Sequence, residues 1–218
     1  MTDARAAIVR DLEPVRPLRS PSVRALALAP LAAAIVLAVP LLHLFRPDLR
    51  AIGVVRAWGF SIGQSLAGLI IVAAALRESV PGRALSTPAL WLALAGGLAL
   101  PVLVYWLTAG AVRLPAGFGW TIGVICFRTS AAAAVPALVG AAILVARALP
   151  LRPGIAGALY GLGCGLIADA GLRLYCEFSS PQHVLLAHGG AIVAVTLAGS
   201  LVATLIARSA TPRSMPRS

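Results

Sequence analysis

The chain has 218 residues, 60% of them hydrophobic and only 11% charged, with a mean hydropathy of +0.94; that balance excludes a sizeable soluble domain. Its net charge of +11 comes from 18 basic residues, all of them Arg and gathered at the ends of apolar runs. The pattern reads as membrane topology rather than a nucleic-acid surface, and no direct DNA binding is expected.

The first 24 residues precede any apolar run. Asp3 can cap a short helix that carries Ala4, Ile8 and Leu12 on one face and ends at Pro14. Such a segment is too short to fold alone. It is either a solvated leader that enforces topology or a docking peptide that folds on a partner.

Six apolar runs follow, at Ala25–Leu44, Trp58–Leu76, Ala89–Leu107, Thr129–Ala146, Gly154–Leu172 and Val184–Ala207. Crossing a hydrocarbon core of about 30 Å takes roughly 20 helical residues, and each run fits. The first is long for a signal peptide and lacks a small-residue cleavage site before Arg46, so it reads as an uncleaved span. The expected fold is an all-α integral membrane protein with six transmembrane helices across residues 25–207 and a disordered tail at 208–218.

An even number of spans puts both termini on one side. That side would hold Arg5, Arg10, Arg16, Arg19, Arg24, Arg77, Arg83, Arg147, Arg152, Arg208, Arg213 and Arg217; the other would hold Arg46, Arg50, Arg56, Arg113, Arg128 and Arg173. Twelve against six predicts cytoplasmic termini.

Cys126, in the connector before the fourth run, and Cys176, just past the fifth, then share the outer, oxidising side. Cys164 lies twelve residues before Cys176, about 18 Å along a helix, beyond the roughly 7 Å Cα separation a disulfide tolerates. Cys126 and Cys176 can therefore meet, as a structural staple or as a redox or metal sensor, while Cys164 is a small core residue. His183 and His188 begin the sixth run near Cys176, and a Cys/His cluster there would suit a soft divalent metal. Five α-helical residues turn about 140°, however, which keeps the two imidazoles off one face and favours interfacial roles for both. His43, at the end of the first run, is expected to be interfacial too.

Gly157, Gly161 and Gly165 recur every four residues in the fifth run and mark a face for close helix packing. Asp169 is an acidic residue inside a span and one turn before Arg173, which predicts an i,i+4 ion pair. Gln64, Thr196 and Asp169 are a thin polar set for a transporter. Catalytic motifs are absent: no C-x-x-C, H-E-x-x-H, G-x-S-x-G or phosphate-cradling loop. No enzyme activity and no cofactor are expected. A small transporter or channel and a structural membrane subunit are the alternatives to a regulator.

Several separated motifs carry a resemblance. Asp11-Leu12-Glu13-Pro14-Val15-Arg16-Pro17-Leu18 stands before the first span and Ser79-Val80-Pro81-Gly82-Arg83 in the second connector. Cys126 precedes the fourth run, and Tyr175-Cys176, Ser180-Pro181, His183-Val184-Leu185 and His188-Gly189-Gly190 follow the fifth. In this order, from Val9 to Ala207, the chain resembles the NrsF family of six-span inner-membrane anti-sigma factors. The resemblance implies that an extracytoplasmic-function sigma factor is the partner, held by the N-terminal segment through Ile8, Asp11, Leu12, Pro14 and Val15, and that Cys126 and Cys176 take part in sensing stress. Tyr175 and Glu177 depart from the family's His and Pro around the second cysteine. A carboxylate beside Cys176 is expected to disfavour its thiolate.

Overall fold

The computed structural model describes residues 17–109, 119–148, 150–178 and 180–210. These residues form helices and connectors, with no strand among them. Six helices are long and apolar enough to cross a membrane: α1 (Pro21–His43), α2 (Val54–Glu78), α3 (Thr87–Thr108), α4 (Trp120–Ala146), α5 (Pro153–Leu172) and α6 (Pro181–Ser209). The segment 1–16 and the tail 211–218, which include the expected docking residues Ile8, Asp11, Leu12, Pro14 and Val15, lie outside the described residues.

The helices begin where local chemistry satisfies their first amides. Ser20 accepts from the Val23 amide ahead of α1, and Ser180 accepts from the His183 amide ahead of α6, each followed by a proline at the first helical position. Pro153 starts α5 in the same way.

Three helices are longer than their apolar runs suggest. α4 starts at Trp120 rather than Thr129, α2 at Val54 rather than Trp58, and α1 at Pro21 rather than Ala25. In α4 and α2 a single Arg near the helix end can extend its stem along the apolar surface and leave its head near water, so the exposed Arg128 and Arg56 do not break their helices, whereas Arg24 is taken into the bundle. Cys126 accordingly sits inside α4, two turns from its start, and not in a connector. Arg24 is buried in α1, where its guanidinium donates to the Leu144 carbonyl of α4.

α5 is the axis of the bundle. In its apolar window 89% of residues are buried, against 28–39% in the other five helices. Apolar surface alone gives helices no reason to associate in lipid, so close backbone approach must supply the contact. α5 makes that approach on two sides. Toward α6, a Cβ added at Gly157 would stand 2.4 Å from the Gly199 carbonyl oxygen, at Gly161 2.6 Å from that of Val195, and at Gly165 3.2 Å from Ile192 Cα. Toward α2, Gly163 and Gly68 face each other: a Cβ on either would stand 2.5–2.6 Å from the other's carbonyl oxygen. Tyr160 seals the α6 side by donating its hydroxyl to the Gly199 carbonyl at 2.9 Å.

The ends of the bundle are tied by ion pairs. At one end Arg152 pairs with Glu78 at 2.6 Å, joining the start of α5 to the end of α2. At the other, Arg46 pairs with Asp48 at 2.5 Å and its amide donates to the Leu174 carbonyl, joining the α1–α2 connector to the segment after α5. Cys126 and Cys176 lie at this second end.

Candidate functional site

The end of α5 turns through Arg173–Tyr175 while the Cys176 amide still reaches back to the Leu172 carbonyl at 2.7 Å. That bond fixes Cys176 one turn beyond the helix. Its Sγ lies 3.5 Å from Sγ of Cys126 on α4 and 3.3 Å from Nε2 of His183 on α6. All three side chains are buried, and their donor atoms lie within 4.8 Å of one another.

The surroundings are apolar: Val39 of α1, Leu172 of α5 and Ala187 of α6 pack around the sulfurs. A cavity of about 410 Å³ leads to them between His43, Phe45, Tyr175 and Phe178. This arrangement supports two chemistries. Two thiols and an imidazole are a soft donor set, three strong, with room for a fourth ligand in a tetrahedral site. The 3.5 Å separation of the sulfurs also closes to a disulfide bond, about 2.05 Å long, through a small side-chain movement.

The Cys176 thiol is held above its ordinary pKa. The chief cause is its hydrogen-bonded neighbour Cys126, followed by burial, while His183 and His188 pull the other way. The direction is the one expected, but its source is the second sulfur and burial, with no part from Glu177. Burial likewise raises the Tyr175 phenol, whose ring lies 5.1 Å from that of His43.

The two histidines depart from the α-helical expectation. Val184–Gly189 is a π-helical turn, whose hydrogen bonds close over five residues instead of four. A spacing of five then brings side chains back to one face, and the His183 and His188 rings meet edge-on with centroids 5.3 Å apart. Both are buried among the helices. His183 joins the cysteines, and His188 Nδ1 lies 2.6 Å from Oδ1 of Asp169.

Asp169 is the centre of a buried polar network. Its Oδ2 accepts from Arg173 Nε at 3.1 Å, the expected i,i+4 pair, and from Gln64 Nε2 at 2.7 Å. Gln64 also donates to the Leu166 carbonyl, and Arg173 to the Pro101 carbonyl of α3. Three helices, α2, α5 and α6, thus meet at one carboxylate, α3 joins the network through Arg173, and the edge-on histidines connect it to the cysteine site. Thr196 takes no part; its hydroxyl donates to the Ile192 carbonyl of its own helix. Cys164 is buried in the core of α5, in a separate apolar cluster from the sulfur pair.

The NrsF family model, described as negative regulator of sigma F, matches residues 8–208. The chain belongs to the NrsF family. No curated protein and no solved structure matches it. The NrsF match spans all six membrane-crossing helices and both cysteines of the buried pair, and it also takes in the Asp11–Leu18 stretch. The protein is thus a multi-pass, all-helical negative regulator of a sigma factor.

Proposed function

We propose that this NrsF protein lies in the bacterial inner membrane with both termini in the cytoplasm, sequesters an extracytoplasmic-function sigma factor there, and releases it under envelope, redox or metal stress. The observation that carries the reading is the family match over residues 8–208. The twelve-to-six Arg distribution supports the orientation. Sequestration needs a cytoplasmic contact, and the N-terminal segment offers the apolar helical spacing of Ala4, Ile8 and Leu12 together with the family's pattern at Asp11–Leu18.

The sensing step uses Cys126 and Cys176. A two-electron oxidant would accept two electrons and two protons as the sulfurs join; a thiophilic divalent cation would displace two thiol protons and add His183 as a third donor. Oxidation draws α4 and the end of α5 together, and a bound cation adds the start of α6 through His183. It can shift the bundle only by the difference in free energy it makes between two helix arrangements. Asp169 lies where such a shift would be felt by four helices at once.

The N-terminal contact is tested by Leu12→Asp, which sets a charge on the apolar face of the segment. Sigma factor recovered with the purified full-length protein falls at least about tenfold, the effect of burying an unpaired charge at an interface, at unchanged protein level in the membrane. Undiminished recovery would move the contact away from the N-terminal segment.

A further inference from the structure

A second cavity opens on the side of the bundle between α1 and α4, at the cysteine end. It measures about 530 Å³ and is walled by Ile35, Val39, Ile125, Ala132 and Pro136 among others, with His43 and Arg128 as its ring and charge. α4 has 27 residues, about 40 Å of helix against about 30 Å of hydrocarbon, leaving roughly 5 Å beyond each boundary. Arg128, eight residues after Trp120, begins about 12 Å along that helix and so about 7 Å below the boundary. Its stem is long enough to bring the guanidinium to the phosphate level.

Arg128 is exposed and makes no hydrogen bond or ion pair among the described residues. Of the other described arginines of this end, Arg46 is held by Asp48, Arg173 by Asp169 and Arg56 by the Leu107 carbonyl, while Arg50, exposed like Arg128, does not line the groove. A lone cation at the mouth of an apolar groove selects a molecule with a long hydrocarbon chain below and a negative group above. We infer that the α1–α4 groove binds a phospholipid of net negative headgroup, its acyl chain between Val39 and Ala132 and its phosphate on Arg128. A headgroup that carries its own ammonium would bring a second cation to the Arg128 guanidinium and lose part of the attraction. Inorganic phosphate has nothing to place in the groove.

The site is joined to the sulfur pair by shared walls. Val39 and Ala133, which line the groove, also pack in the cluster around Cys126 and Cys176, and His43 lies between the two cavities. Filling the groove therefore props α1 and α4 against the cysteine cluster, and emptying it lets them move. The lipid would be an additional input at the membrane beside the thiol chemistry.

The test is retention of lipid by the purified full-length protein, independent of any sigma factor. Protein reconstituted in mixed phosphatidylglycerol and phosphatidylcholine is delipidated stepwise and weighed intact by native mass spectrometry. The wild type keeps one phosphatidylglycerol per chain with about fivefold preference, the scale of one basic residue at anionic headgroups. Arg128→Gln removes the preference, Arg128→Lys keeps it, and Arg50→Gln, a change at the same end but outside the groove, leaves it unaltered. Ala132→Phe, which fills the groove, lowers retention of both lipids. Millimolar inorganic phosphate displaces neither. Equal retention of the two lipids by the wild type, undiminished preference in Arg128→Gln, unchanged retention in Ala132→Phe, or displacement by phosphate would each overturn the proposal.

Discussion

Gly163→Leu disperses the bundle. A Cβ at this position would stand 2.5 Å from the Gly68 carbonyl oxygen and 2.7 Å from Val72 Cγ2, so the α2 backbone, and not a flexible side chain, must retreat. Overpacking of this kind costs about 3 kcal/mol or more, and the lost contact between α2 and α5 also removes Gln64 from Asp169. The expected result in detergent is loss of the monodisperse peak and a large fall in steady-state protein. Gly63→Ala is the matched control, because nothing lies within 4 Å of a Cβ there. A monodisperse Gly163→Leu protein with wild-type thermal unfolding would show that α2 and α5 are not packed as described.

Asp169→Ala has the second large effect, by a different route. The carboxylate is fully buried and is the acceptor for Arg173 and Gln64 and the partner of His188. Removing one member of a buried ion pair leaves the other charge uncompensated, at a cost of about 3–5 kcal/mol. Asp169→Asn keeps the volume and part of the hydrogen bonding, and it loses less. Thermal unfolding of the two variants gives this order. Asp169→Asn combined with Gln64→Leu is non-additive by about 0.5–3 kcal/mol, since the two share one hydrogen bond. Additive losses would separate Gln64 from the network.

Much of this arrangement was legible in the residues, and what was not has identifiable causes. Hydropathy finds each span, because the length of an apolar run measures the membrane directly. It misplaces the starts of α1, α2 and α4, because an Arg near a helix end looks like a boundary while its stem packs as part of the helix. The axial rise of an α-helix is enough to separate Cys164 from Cys176 and to pair Asp169 with Arg173. The same arithmetic fails at His183 and His188, where the backbone is π-helical; the spacing of five followed by Gly189-Gly190 is the signal that could have raised the question.

Contacts between distant residues were the least readable. Gln64 meets Asp169 across 105 positions, and neither residue's neighbours hint at the other. The four-residue glycine spacing points to the α6 side of α5, while Gly163, out of that register, makes the equally close approach to Gly68 on the opposite side. The pairing of the sulfurs with His183 required the end of α5, the second turn of α4 and the start of α6 to converge, and only the assembled bundle displays it.

The central claim is that the sigma factor is held on the membrane protein and let go when Cys126 and Cys176 change state together. It is tested most directly by purifying the full-length protein from cells before and after exposure to a thiol oxidant or cadmium, and measuring the sigma factor that comes with it alongside thiol labelling of each cysteine. The wild type carries the sigma factor before exposure and loses it afterwards, with both cysteines protected from labelling in step. Cys126→Ser, Cys176→Ser and the double variant keep it throughout, equally, and Cys164→Ser behaves as wild type. Absence of a sigma factor from the untreated protein would contradict sequestration. Release from the single cysteine variants as from the wild type, or a defect reproduced by Cys164→Ser, would contradict the paired-cysteine sensor.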